Sequence, residues 1–239
     1  MWVAGAQEYL PSCSPAPSGR TADLARGPSV RDHPPVSEPK AVAQEAWEVA
    51  PGLWHWNLDD ERIGGFIGAS HAVATDEGTV LIDPHTLAED GLAGLGEIAA
   101  IVLTASVHQR ASWRLRREFR VPVWVPAATR EAEEEPDERY SEGDRMPGGL
   151  DAIFTPGAGT TQHMLLDRPR RAAFVSDLLV RPRGGRLALL SEDLAHDPAQ
   201  LRETVETRLL ALDVDILCLG HGEPVTDDPK GALRATLGA

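Results

Sequence analysis

The hydrophobic and polar positions of this chain fall into two regimes that meet near residue 46. Before that point no period persists. Pro11, Pro15, Pro17, Pro28, Pro34, Pro35 and Pro39 punctuate serine, alanine and glycine, and the apolar residues are too sparse to offset the entropy of ordering the segment. Residues 1–45 are expected to be a disordered extension, or sequence upstream of the true start. Residues 46–239 are expected to form the folded domain. Within it the pattern predicts strands at 49–56, 66–73 and 78–82, with a turn at 76–78. A helix follows at 86–98, weakened by Gly91, Gly94 and Gly96. Residues 99–104 are a short apolar run that fits a buried strand. Residues 111–119 show a helical pattern with Trp113 and Phe119 on one side, and 121–125 a strand whose Pro122 suits an edge or an end.

Further along, the acidic run 131–138 is read as a solvated loop or helix end. Strand-like pieces follow at 152–155, 163–166 and 172–176. The strongest helical pattern spans 197–212, where Asp197 is placed to cap and Pro198 to occupy the first helical position. Leu201, Val205, Leu209 and Leu212 make its apolar face. A strand at 215–219 leads to Gly220, His221 and Gly222, and a last helix begins near 229. Strands in runs, interrupted by helices, fit an α/β sandwich better than a strictly alternating parallel sheet.

Charge narrows the partners. The chain has 37 acidic and 23 basic residues, a formal net charge of -14, which disfavours non-specific binding to nucleic acid or to anionic membranes. No apolar run is long enough to span a membrane, and the N-terminus lacks the basic-then-apolar order of a secretion signal. The two cysteines are Cys13, in the extension, and Cys218, in an apolar strand. No disulfide framework is expected, and a reduced cytoplasmic setting fits.

The candidate chemistry sits at strand ends. Val80, Leu81 and Ile82 run into Asp83 and Pro84; Ile101, Val102 and Leu103 run into Thr104. Thr155, Pro156, Gly157, Ala158, Gly159 and Thr160 form a turn. Phe174, Val175 and Ser176 precede Asp177, and Leu219 and Gly220 precede His221. In this order and spacing the signals resemble the metallo-β-lactamase superfamily over about residues 47–239. That resemblance implies a four-layer α/β/β/α sandwich. It also implies a loop reading Thr-His-x-His-x-Asp-His after Thr104 and a Pro-Gly-His-Thr turn later. Here the corresponding positions are Ala105, Val107, Gln109, Arg110 and Ala158. Asp177 and His221 remain. The chain is also similar to a subgroup whose loop reads roughly Thr-Asn-Arg-His-His-x-Arg, which Thr104, His108 and Arg110 match.

The superfamily's metals lower the pKa of bound water to about 7 and so generate a nucleophile. Two ligands are too few for a tight zinc site. His108 could supply a third, although it stands one residue past the usual position; the plainer reading has it packing or hydrogen-bonding near the old site. His163 and His85 are more distant candidates. Arg110 could pair with Asp177 in a fork and take over a metal's charge, or simply start a helix and face water. Asp83 reads as a turn or supporting residue rather than a catalytic base, and Trp54 and Trp56 as core or cavity wall. No Gly-x-Ser-x-Gly elbow or phosphate loop is present.

Three functions stay open. One is a metal-poor or metal-free pseudo-hydrolase that binds a small ligand or partner in a cleft lined by Arg110, Asp177, His108 and His221. Another is a hydrolase of esters, thioesters or similar compounds with one zinc, iron or manganese ion on Asp177, His221 and His108. The third is metal-independent acid–base catalysis by His221 and Asp177.

Overall fold

The computed structural model describes residues 38–60 and 66–238. Thirteen strands are formed among them: β1 Trp47–Ala50, β2 Leu53–Asp59, β3 Ile67–Thr75, β4 Gly78–Ile82, β5 Ile98–Val102, β6 Val123–Pro126, β7 Glu138–Tyr140, β8 Asp151–Phe154, β9 His163–Asp167, β10 Ala172–Phe174, β11 Leu179–Val180, β12 Ala188–Leu189 and β13 Ile216–Cys218. The helices are α1 Glu89–Gly94, α2 Ser112–Phe119, α3 Pro198–Thr204 and α4 Pro229–Leu237. β1 to β7 make one sheet in sequence order, and β13-β10-β9-β8 make the second.

Period-2 alternation assembles the layers. Leu53, Val73, Val80, Ile82 and Val102 of the first sheet meet Leu165, Ala172, Phe174, Ile216 and Cys218 of the second in one buried cluster. On the outer side of the first sheet, Trp56, Leu58, Leu81 and Ile101 pack with Leu92 of α1 and Trp113 and Leu115 of α2. On the outer side of the second, Met164, Leu166, Leu217 and Leu219 pack with Leu201 of α3 and Leu233 of α4. The result is the α/β/β/α sandwich.

The structure corrects several boundaries. The strand expected at 49–56 is a hairpin, because Pro51 and Gly52 turn the chain between β1 and β2 and Gly52 takes φ 70. The helix expected at 86–98 keeps only the six residues of α1 and is ended by Gly96 at φ 79. Part of the acidic run becomes β7, and its Glu134 and Asp137 pair with Arg116 and Arg117 of α2. Asp197 caps α3, with Oδ1 accepting from Gln200 N at 3.0 Å, and a π turn at Val205–Leu209 continues the helix. Residues 38–45, read as part of the extension, dock on the domain. Ala43 is buried and exchanges backbone hydrogen bonds with Thr86 and Ala88, and Glu38 bonds Arg114. Residues 1–37, with Cys13, lie outside the described residues. No helix among the described residues is long and apolar enough to cross a membrane. The Cys218 thiol is free and buried, and burial raises its pKa.

Between the sheets, β2 and β3 carry two buried imidazoles. His55 Nδ1 and His71 Nδ1 lie 3.2 Å apart, and His71 Nε2 lies 3.0 Å from Leu219 O. If His71 donates from Nε2 to that carbonyl, its Nδ1 must accept and His55 Nδ1 must donate. Both rings are then neutral. Burial first, and His71 second, push His55 down to about 2; burial pushes His71 down to about 4.

Two outcomes follow from this packing. Phe174→Ala opens a cavity between the sheets and is expected to lose about 3–5 kcal/mol in urea unfolding. The folded protein refuses protons at His55 and His71 that the unfolded chain accepts below pH 6.5. Stability should therefore be full above that pH and fall as pH drops towards 5, by about 1.4 kcal/mol per pH unit for each ring. Urea midpoints measured at pH 7.5, 6.5 and 5.5 check the sign.

Candidate metal centre

The candidate residues collect at the carboxyl ends of two parallel strand pairs, β4 with β5 and β10 with β13, the end of an α/β sheet where ligands usually bind. Asp83 ends β4 at φ 47, and Ser176 ends β10 at φ 51. Each is a left-handed kink that turns a strand end out of its sheet. His221 follows β13 in a loop stitched on both sides: Ala69 N donates to Gly220 O at 3.0 Å, Gly222 N to Ile67 O at 3.1 Å, and Arg181 N to His221 O at 2.9 Å. A side chain at Gly222 would place Cβ 2.2 Å from Arg181 O, so this approach needs glycine.

His108 lies at the centre. Its Nδ1 donates to Asp83 Oδ2 at 2.9 Å, while Nε2 faces Asp177 Oδ1 at 3.2 Å. His221 Nε2 approaches the same Oδ1 at 3.3 Å. His108, Asp177 and His221 each offer a ligand atom, all within 4.8 Å of one another. His108 Nε2 and Asp177 Oδ1 are buried, and neither completes a hydrogen bond of acceptable geometry. Phe66 covers one side of His221, with ring centroids 5.8 Å apart.

The supporting residues are as informative. Asp83 also accepts from Thr104 N at 2.8 Å and from Thr104 Oγ1 at 2.5 Å, and Ser176 Oγ lies 2.9 Å from that hydroxyl. Burial opposes the charge on Asp83, but His108 and Arg110 hold its pKa below the usual carboxylate range. Burial likewise opposes Asp177, and His108 and His221 hold it well below. For His108, burial favours the neutral ring and Arg110 repels a proton, yet Asp177 and Asp83 prevail and raise it to about 9.

Arg110 does not form the expected fork with Asp177. It is buried, with φ 45, and its guanidinium donates to three backbone carbonyls: Ala69 O at 2.5 Å, Asp83 O at 2.8 Å and Gly220 O at 3.1 Å. It does not start α2 facing water either; Ala111 caps that helix. Gln109 is likewise committed to structure. Its Nε2 donates to Ser106 O and Glu131 O, and its Oε1 accepts from Trp113 and Glu133. Ala105 and Ala158 are buried and Val107 is exposed.

Two other histidines stand apart. His163 hydrogen-bonds Thr161 O and packs against Tyr140 and Phe154. His85 lies 2.9 Å from Ser70 Oγ and fills the space beside Gly68, where a Cβ would be 2.4 Å from the ring. Trp56 is core, and Trp54 packs against that core. Sequence reasoning missed His71 and Gln162. His71 was detectable as a polar residue on the apolar face of a strand. Gln162, whose Nε2 bonds Ser176 Oγ at 3.2 Å, left no signal.

A sequence profile described as the metallo-beta-lactamase superfamily matches residues 49–237. The chain belongs to this superfamily. Solved structures agree on the fold. A metallo-beta-lactamase from Pontibacter korlensis is 16% identical, with 81% of this chain and 97% of that one covered and a TM-score of 0.65. One from Erythrobacter litoralis is 14% identical over 81% and 94%, with a TM-score of 0.63. An archaeal superfamily protein from Sulfolobus tokodaii is 15% identical over 72% and 79%, with a TM-score of 0.59. Among curated proteins no match was found.

Within the superfamily frame, two imidazoles and a carboxylate fit one divalent cation. Three protein ligands with an open position are the usual complement of a catalytic zinc site, and two histidines with a carboxylate also suit iron. The unmatched Nε2 of His108 and Oδ1 of Asp177 are the atoms a cation would satisfy.

Arg110→Met is expected to cost about 3–5 kcal/mol in urea unfolding, because it removes three hydrogen bonds to buried carbonyl groups and part of the positive charge that offsets Asp83 and Asp177. Arg110→Lys should recover only part, since an ammonium cannot reproduce the planar fork.

Proposed function

We propose that this chain is a metal-poor member of its superfamily that holds a single divalent ion on His108, Asp177 and His221 and hydrolyses esters, thioesters or similar acyl compounds. The observation that carries the reading is the orientation of His108. Asp83 accepts a hydrogen bond from its Nδ1, which aims Nε2 at Asp177, beside His221, where an ion would displace the Nε2 proton. A carboxylate behind a histidine is the common support of a metal ligand.

A bound ion of this kind supplies a Lewis acid that makes water nucleophilic near neutral pH. Asp177, kept ionised by its neighbours, would hold such an ion together with His108 and His221. Phe66 limits solvent on one side of His221. Arg110 lies close enough to Asp83 and Asp177 to oppose their charge, so less positive charge is needed from metal than in a site with two ions. Ester or thioester hydrolysis as the reaction class rests on the fold's membership alone.

The second reading is a metal-free binding protein. It is favoured by the ion-pair distances of His108 to both carboxylates, which a protonated ring would satisfy with no metal. Elemental analysis of untagged protein purified without chelators decides between them. About one equivalent of zinc, iron or manganese per chain is expected, lost in His221→Ala. Asp83→Asn should weaken the metal affinity by about 10–100-fold while the fold persists. Protein that stays metal-free after incubation with excess zinc refutes the hydrolase reading.

A further inference from the structure

Beside His221 the chain folds into a polar cleft of about 300 Å³, lined by Asn57, Asp59, Ile67, Arg181, Arg183 and Glu223 over the turn at 182–185. We propose that this cleft binds a zwitterion, a small molecule that presents a carboxylate to Arg181 and an ammonium to Glu223, such as an amino-acid derivative or a short peptide. The assignment rests on the neighbouring cluster being the reactive centre and names the substrate class that centre would meet.

The argument is one of uncancelled groups. Arg183 and Asp59 pair with each other at 2.6 Å on the exposed rim and neutralise one another. Among the described residues Arg181 makes no ion pair. Its guanidinium makes one long hydrogen bond, Nη1 to Pro224 O at 3.4 Å, which leaves most of its five donors unused. Among the described residues Glu223 makes no hydrogen bond or ion pair, to Arg181 or to any other group. Asn57 lines the same cleft. A cation and an anion thus line one cleft without pairing with each other among the described residues. A ligand with a single charge would answer only one of the two charged groups.

Placement supplies direction. Arg181 is tied through its backbone to His221, and Glu223 follows His221 by two residues, so a ligand held by both lies along the same loop as the third candidate metal ligand. A shallower recess lined by Trp47, Val49, Pro224 and Thr226 shares Glu223. Trp47 is 43% exposed there, and an indole face beside a carboxylate favours an ammonium group. The ammonium end therefore points towards Trp47 and the carboxylate towards Arg181. The volume is at the small end for ligand pockets, which suits a molecule of dipeptide size.

The test titrates the full chain with glycylglycine, N-acetylglycine and glycinamide, following backbone amide shifts by NMR, with metal content measured on the same samples. Glycylglycine should bind, and the two probes lacking one charge should bind about 10-fold more weakly or worse. Arg181→Gln should reduce glycylglycine to the level of glycinamide, and Glu223→Gln to the level of N-acetylglycine. Equal binding of N-acetylglycine and glycylglycine, no effect of either substitution, or no binding of any probe overturns the proposal. Protein with one metal equivalent and no probe selectivity sinks this subsite and leaves the hydrolase reading. Metal-free protein that selects glycylglycine does the reverse.

Discussion

The carboxylate of Asp83 is the fixed point around which the site is built. It is buried, it caps the backbone of Thr104, and it accepts hydrogen bonds from the Thr104 hydroxyl and from His108 Nδ1. Its own carbonyl accepts from Ser70 and Arg110. One left-handed residue at the end of β4 thereby joins β3, the loop after β5 and the start of α2. A buried carboxylate survives only when its oxygens are met, so these segments cannot separate without exposing the charge's cost. His108 is held by this constraint, and the cluster with Asp177 and His221 is a consequence of it.

Arg110 solves a related problem on the other side. The loops after β4 and β13 and the strand β3 converge with carbonyl groups pointing inward, and a guanidinium meets three of them at once. The same group offsets part of the negative charge of Asp83 and Asp177. Structural support and part of the charge balance are therefore carried by a single side chain.

Much of this was legible in the chain. The layers were, because period-2 runs and the apolar face of 197–212 report directly on which side is buried. The strand-end positions of Asp83, Asp177 and His221 were also readable, since apolar runs that stop at a polar residue mark where a sheet ends. The role of Arg110 was not. A residue type says that a charge exists; only the convergence of Ala69, Asp83 and Gly220 says that backbone carbonyls, rather than Asp177, would claim it. The orientation of His108 was hidden for the same reason, because one residue of register on an irregular loop carries no periodicity. The Pro51–Gly52 hairpin could have been read, since that dipeptide is a strong turn signal, and the aromatic run around it obscured the break.

The turn at Ala158 leaves no room for a larger side chain beside the site. Gly157, at φ 116, packs so closely on α3 that a Cβ would lie 2.2 Å from Leu201 N, and the carbonyls of Gly157 and Ala158 hold the backbone of Asp197 and His196. Ala158 itself is counted in the apolar cluster under that helix. A histidine placed at this position would have to enter filled, apolar space. Gln109 and Arg110 would at the same time have to give up bonds that now close the neighbouring loops. A second metal beside the cluster would need several of these groups to change together, because each change alone breaks packing or hydrogen bonds now in place.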